Sequence, residues 1–356
     1  MAYTTIDDPS AHFQTTLYSG TGSTASVTNG GNSDLQPDLV WIKCRTTNVR
    51  DHRLMDSTRG VQKELVSNST AAEYTEATGF TAFQSDGFQH GGANGYGASD
   101  ETYASWQWKA NGGTTTTNDA SATSVGTIDS VYQTDTTSRF SIVTYSGSGS
   151  AGTIAHGLGV TPNVIIIKNR GSSTRGWIVY HDKSHATPED NFLLLNTTAA
   201  VADLDRMNDT APTSTVFSVS DDTHVNNGSD TYVAYCFASV QGYSKFGKYT
   251  GNGNDNGPFV YLGFKPAFIM RKRSNDSGGW VIMDSTRNTI NLTESRLSAD
   301  SSAVEVTDGN GIDILSNGWK ERNSDGYSNA DGDTFIYMAF AESPFVSSEG
   351  VPCTAR

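Results

Sequence analysis

Apolar residues in this chain come in short bursts, many alternating with polar ones and punctuated by Gly, Asn and Asp. Period-two alternation with frequent turn residues predicts half-buried strands joined by tight connections. The runs Phe259-Val-Tyr-Leu-Gly-Phe264 and Thr231-Tyr-Val-Ala-Tyr-Cys-Phe-Ala238 are rich in the aromatic and β-branched types that pack well on a pleated surface. Asn226-Asn-Gly-Ser-Asp230 and Asn329-Ala-Asp-Gly-Asp333 hold residues that tolerate positive φ between paired strands. No helical periodicity is sustained; the best helical candidate, residues 301–306, is short and suits a loop or strand equally well. The pattern predicts an all-β chain.

The pattern also occurs three times. Tyr18-Ser-Gly-Thr-Gly22, Tyr145-Ser-Gly-Ser-Gly149 and Tyr249-Thr-Gly-Asn-Gly253 each follow a Phe (Phe13, Phe140, Phe246) and precede a Pro-led apolar run ending in Lys43, Lys168 or Lys272. A hydrophobic segment then leads to Asp56, Asp182 or Asp284, with Trp177 and Trp280 in matching places and Arg53 where copy one should have its tryptophan. The copies close on apolar runs ending at Trp108, Phe237 and Phe340. The lysines recur at intervals of 125 and 104 residues, far beyond the roughly 20 to 50 residues of solenoid and propeller repeats. Each unit is long enough to hold its own core. The expected architecture is three tandem antiparallel β-sandwich repeats, jelly-roll or lectin-like, over residues 1–112, 139–242 and 243–356, with 113–138 a Ser/Thr-rich linker. Copies two and three, lacking a linker, are expected to pack together.

Charge narrows the partners. With 24 basic and 38 acidic residues the formal net charge is −14, which repels phosphate backbones and anionic membrane surfaces. No nucleic-acid binding and no membrane insertion are expected: no stretch approaches the roughly 20 apolar residues of a spanning helix, and the first residues lack a secretory signal pattern. Cys44, Cys236 and Cys353 occupy non-equivalent places, which gives neither a disulfide framework nor a metal-ligand spacing.

No catalytic constellation recurs in all three copies. The seven histidines are scattered, and His181 and His185, spaced like two helical metal ligands, are read as exposed loop residues. The recurring acids Asp56, Asp182 and Asp284, then Glu101, Asp230 and Asp333, would suit glycoside hydrolysis if paired, but an acid closing a strand is better read as a turn or cap. Asp325, Asn329, Asp331 and Asp333 offer closely spaced oxygen donors of the type calcium takes. A hairpin turn accounts for the same residues without metal, so no cofactor is expected and calcium is the alternative. Trp177, Trp280 and Tyr327, beside Gly- and Asn-rich loops, are the candidate ligand-stacking aromatics.

The phrases Phe140-Ser-Ile-Val-Thr-Tyr145, His156-Gly-Leu-Gly-Val-Thr-Pro162, Asn310-Gly-Ile-Asp-Ile-Leu-Ser-Asn-Gly-Trp-Lys320 and Ile336-Tyr-Met-Ala-Phe340 resemble a repeated domain of uncharacterised function in virion proteins of tailed bacteriophages, notably marine and cyanobacterial ones. The resemblance implies a virion-located structural or attachment protein: a tail fibre, knob or head decoration. It also implies other capsid or tail proteins as partners, with host surface polysaccharide as a candidate ligand. By analogy with such appendages a homo-oligomer is expected, a trimer among the options, although three modules in one chain would supply threefold contacts without one. The resemblance carries over no catalytic residues. The expectation is therefore non-enzymatic, with a polysaccharide depolymerase as the alternative.

Overall fold

The computed structural model describes residues 2–47 and 49–354. The chain is all-β and its strands pair antiparallel throughout the named sheets; among the described residues, apart from short 3-10 turns, its helical structure is the single turn Ala120–Thr123. Each sequence copy builds one large sheet around the same four strands. In the first, the opening strand Phe13–Ser19 pairs with the closing strand Thr102–Trp108, which pairs with the lysine strand Leu39–Cys44, which pairs with Arg53–Asp56. The third copy repeats that order with Ser244–Thr250, Thr334–Pro344, Phe264–Arg273 and Trp280–Asp284. The second does so with Phe140–Ser146, Thr231–Phe237, Val164–Asn169 and Ile178–His181.

The central strands read as nearly continuous apolar runs because both of their faces are buried. Along Thr231–Phe237, Tyr232, Ala234 and Cys236 face a core belonging to the second copy, which also includes Ile154, Phe217 and Val219 of the small sheet Gly152–Ala155 and Val216–Val219. The alternate residues Val233, Tyr235 and Phe237 turn the other way, into a cluster drawn from all three copies. Closing strands one and three divide in the same manner, sending Trp106 and Trp108, and Ile336, Met338 and Phe340, into that cluster. At its middle the equivalent rings of Trp108, Phe237 and Phe340 contact one another pairwise, with centroids 5.6, 5.9 and 6.4 Å apart in edge-on pairs. The three large sheets thus stand around a pseudo-threefold axis and share a core.

Two expectations change. The first copy is not held at arm's length, since it meets the other two around the axis as closely as they meet each other. Residues 113–138 are not an open linker either. They form Thr116–Asn118, the turn Ala120–Thr123 and the strand Ser130–Asp135, which adds to the free side of Phe140–Ser146 and widens that sheet to eight strands. A Ser/Thr-rich composition concealed a strand whose partners supply the burial that its own side chains do not.

The recurring Tyr-Ser/Thr-Gly-X-Gly phrase has a local cause. The tyrosine hydroxyls of Tyr18, Tyr145 and Tyr249 donate to the carbonyls of Tyr96, Val225 and Ser328 at 2.6 to 2.7 Å, pinning each opening strand to the loop before the closing strand. Gly22, Gly149 and Gly253 then turn with φ of 70, 72 and 60°, a region where a side chain would be strained.

Candidate functional site

Sheet pairing fixes which residues are equivalent. Asp56 lies opposite Leu39 and Asp284 opposite Phe268, and in the second copy the residue at that register, opposite Val164, is His181. Asp182 is therefore not the third member of the acid series; it lies one residue further on, half-buried, accepting from Asn163 Nδ2 at 2.8 Å. The same register puts His52, not Arg53, at the place of Trp177 and Trp280. An Asp following an apolar run drew the alignment by identity, whereas pairing decides it.

These positions lie at the seams between copies. Trp177 Nε1 donates to Val66 O at 2.8 Å, Trp280 Nε1 to Leu194 O at 2.9 Å and His52 Nε2 to Ser298 O at 2.9 Å, each bond running from one copy to the preceding one around the ring. His52 can play a tryptophan's part because its Nδ1 accepts from Trp41 Nε1 at 2.8 Å, which leaves Nε2 as the donor of a neutral ring. The backbone N–H of each residue is held by an Asn or Asp of its own copy: Asn68 for His52, Asn196 for Trp177 and Asp300 for Trp280. Trp177 and Trp280 are buried and bonded, so they are seam pegs and not exposed ligand platforms.

The three recurring lysines complete the interlock. Lys168 Nζ donates to Thr70 O at 3.0 Å, Lys272 Nζ to Thr198 O at 3.2 Å and Lys43 Nζ to Ser302 O at 3.3 Å, again one copy to the preceding one. Burial lowers the pKa of each ammonium to about 8. A backbone bond accompanies each clamp: Glu73 N to Arg170 O, Val201 N to Ser274 O and Glu305 N to Arg45 O, at 2.8 to 3.0 Å.

At two seams this frame encloses ions. Asp56 pairs with Arg59, whose guanidinium reaches Glu73, which in turn holds Arg170 of the second copy; Tyr235 donates to Asp56 at 2.8 Å. Asp284 pairs with Arg287, then Glu305, then Arg45 of the first copy, with Trp106 Nε1 donating to Asp284 at 3.1 Å. The third seam carries His181, Ser184 and Val201 in those places. His181 Nε2 donates to Tyr337 O at 3.1 Å while its Nδ1 accepts from Lys183 N, so the ring is neutral, and burial lowers its pKa. His181 is buried where an exposed loop residue was expected; His185 alone of that pair is exposed. The acids that a glycosidase would recruit, Asp56 and Asp284, are thus buried, each with both oxygens occupied by its own arginine turn.

The remaining sequence candidates lie apart from one another. Asp325 pairs with Arg296 at 2.7 Å and Asp333 pairs with Arg273. Asn329 is buried, donating to the carbonyls of Asn323 and Asn254 and accepting from Asn252 N; Asp331 is exposed. The four oxygens do not converge on one point, and among the described residues no group of three or more His, Cys, Asp or Glu is arranged to hold a metal. Tyr327 is 53 % exposed and borders an open cleft of about 240 Å³ that also holds Asp300, Arg296, Ser301 and Thr198. Burial raises the pKa of Asp300. An aromatic face beside a carboxyl, a guanidinium and hydroxyls can stack on and hydrogen-bond a single polyhydroxylated ring. Sequence reasoning found Tyr327 but not Arg296 or Asp300, which reach it only through the fold. It also missed Phe259 and Tyr261, exposed on one face of the strand Phe259–Tyr261, with Lys245 Nζ 5.2 Å over the Tyr261 ring; their alternation about Val260 was the available signal.

The family model described as "Domain of unknown function (DUF7483)" matches residues 8–344. The chain belongs to that family. The match runs through all three copies, as expected of a unit with a shared core. No curated protein and no solved structure matches the chain.

Proposed function

We propose that this chain is a non-enzymatic structural protein of a bacteriophage virion, a compact appendage such as a tail-fibre knob or head decoration. In this reading it is made of three tandem jelly-roll-like sandwich modules and contacts neighbouring virion proteins and host surface glycan. The observation that carries the reading is the use of the recurring chemistry. The recurring clamp lysines, the Trp177 and Trp280 pegs and the acids Asp56 and Asp284 serve the seams, so much of what the copies share is devoted to rigidity, while their loops differ in sequence. A closed ring of three modules gives a single chain the symmetry that many appendages build from three. Glycan contact is assigned to Tyr327 with Asp300 and Arg296, a shallow site suited to weak and repeated binding.

Two measurements test this. Density or antibody labelling for the chain should be found on the intact particle, and its absence there would defeat the virion assignment. Purified protein should bind host polysaccharide without shortening it, and Tyr327→Ala should abolish binding with folding retained. Chain cleavage that Asp284→Asn removes, in a variant shown still to fold, would establish the depolymerase instead.

A further inference from the structure

The opening strand Phe13–Ser19 is the free edge of its sheet, and it lies along a groove of about 560 Å³. Residues 28–32 form one wall, and the other comes from the third copy, including Ala267, Ser285, Thr286 and Glu342. In the antiparallel ladder to the closing strand, His12 O and Gly20 N bond toward the partner, so the alternation turns the N–H and C=O groups of Phe13, Thr15 and Leu17 out into the groove. Thr15 Oγ1 is buried there and has no hydrogen-bond partner among the described residues.

The equivalent edge in the second copy is occupied. Phe140, Ile142 and Thr144 face Asp135, Gln133 and Val131 of the added strand Ser130–Asp135. Gln133 is buried, and its Nε2 donates to Ser57 Oγ and Thr58 Oγ1 of the neighbouring copy, both at 2.6 Å. Around the ring, the counterparts of Ser57 and Thr58 at the groove are Ser285 and Thr286, one and two residues after Asp284 as the first pair is after Asp56. The third copy's edge, Ser244–Thr250, carries Lys245 and Lys248, the charges that guard an edge against pairing. Phe13–Ser19 carries none.

We propose that this groove is a strand-acceptor site: an extended segment of another polypeptide adds antiparallel to Phe13–Ser19, as Ser130–Asp135 adds to Phe140–Ser146. The incoming strand places a Gln or Asn against Ser285 and Thr286. The charged residues lining the groove, Asp8 and Glu342, are both acidic, Glu342 also meeting Lys265 at 2.7 Å. The residue two positions beyond the Gln, where the internal strand has Asp135, is therefore Lys or Arg. Backbone pairing supplies affinity and the alternate side chains supply selectivity.

The probe is a fluorescent peptide spanning residues 128–137 with Asp135→Lys, titrated into the full-length protein. Saturable binding is expected, with slowed amide exchange at Phe13, Thr15 and Leu17 and unchanged exchange along Ser244–Thr250. Gln133→Ala in the peptide, or Thr286→Ala in the protein, should weaken binding about tenfold, the equivalent of losing about 1.4 kcal/mol of hydrogen bonding. Thr15→Pro should abolish it while sparing the sheet, since that N–H makes no ladder bond; Glu342→Lys, which leaves the backbone unchanged, should weaken it if the proline variant does not fold. Absence of saturation at millimolar peptide, protection at Ser244–Thr250, or indifference to Thr286→Ala and Gln133→Ala would overturn the proposal. So would concentration-dependent dimerisation that Glu342→Lys prevents, which would make a second copy the occupant.

Discussion

Two of the three seams are ionic and the third is neutral, although all three share one backbone frame. At the first two, Asp56–Arg59–Glu73–Arg170 and Asp284–Arg287–Glu305–Arg45 run between copies; at the third, where His181, Ser184 and Val201 stand, His181 Nε2 bonds to Tyr337 O and Val201 N to Ser274 O. What recurs without exception is the lysine clamp, the indole or imidazole peg and the backbone bond. The difference teaches that the frame sets the geometry of the ring and that the ions are additions to it. A buried ion pair gives little net stability over an apolar replacement, yet is costly to break from one side.

The largest effect should come from breaking a chain of ions at one member. Arg59→Leu or Arg287→Leu strands a buried carboxylate and should cost about 3–5 kcal/mol in denaturant unfolding, whereas Ser184→Ala, at the matching place on the neutral seam, should stay within about 0.5 kcal/mol. Equal losses at all three would end the distinction between the seams. Next, His181→Asp alone should destabilise the neutral seam by about 2–4 kcal/mol, and adding Ser184→Arg should restore most of it, because the Asp–Arg turn is then rebuilt on an identical register. No recovery in the double variant would mean that the frame differs there. Replacing Trp177 or Trp280 by Phe should cost about 1–2 kcal/mol each, by leaving Val66 O or Leu194 O without its donor; calorimetry on both variants would show whether the pegs are equivalent.

Acid should distinguish the seams more gently. The pKa of His181 is lowered by burial, so below about 6.5 the unfolded chain takes up a proton that the folded one refuses, and stability falls as pH drops. His52, His90 and His156 act in the same direction, so the informative quantity is the difference from His181→Gln, which should flatten the slope between pH 6.5 and 5 by up to about 1.4 kcal/mol per pH unit. Glu73 on an ionic seam acts in the same direction but in a lower pH window. Burial acts to raise its pKa, but Arg170 and Arg59 outweigh it and hold the value low, so its contribution persists until the pH falls below the ordinary carboxylate range. An alkaline effect, summed over three lysines, tests what the seams have in common. With each clamp lysine lowered to about 8, stability should rise as pH goes from 8 toward 9.5, since the unfolded chain binds more protons there, and Lys43→Met, Lys168→Met and Lys272→Met should each remove a similar share of that rise.

Much of this was legible in the sequence, and the omissions have a common cause. The threefold repetition, the all-β class and the turn glycines are local properties, readable from phrases such as Tyr145-Ser-Gly-Ser-Gly149. The apolar, aromatic run Thr231–Phe237 marked a strand on a partly buried pleated surface but could not say that both faces are buried or that one of them meets two other copies. The strand Ser130–Asp135 was missed because its burial is supplied by neighbours, and Trp177 and Trp280 were placed at the surface because a Gly-rich approach looks like a loop. Asp182 was aligned with Asp56 because identity is visible in a sequence and pairing register is not.

The sequence by itself determined the number of copies, their strands and their turns, since these follow from side-chain periodicity and from glycine's backbone freedom. Only the tertiary structure decided that the copies close into a ring and that lysine, tryptophan and histidine bond to carbonyls of the preceding copy. It alone also decided that one sheet edge is filled while its counterpart lies open. Those outcomes depend on which surfaces meet across more than a hundred residues of chain, and a pattern of period two carries no information about its partner.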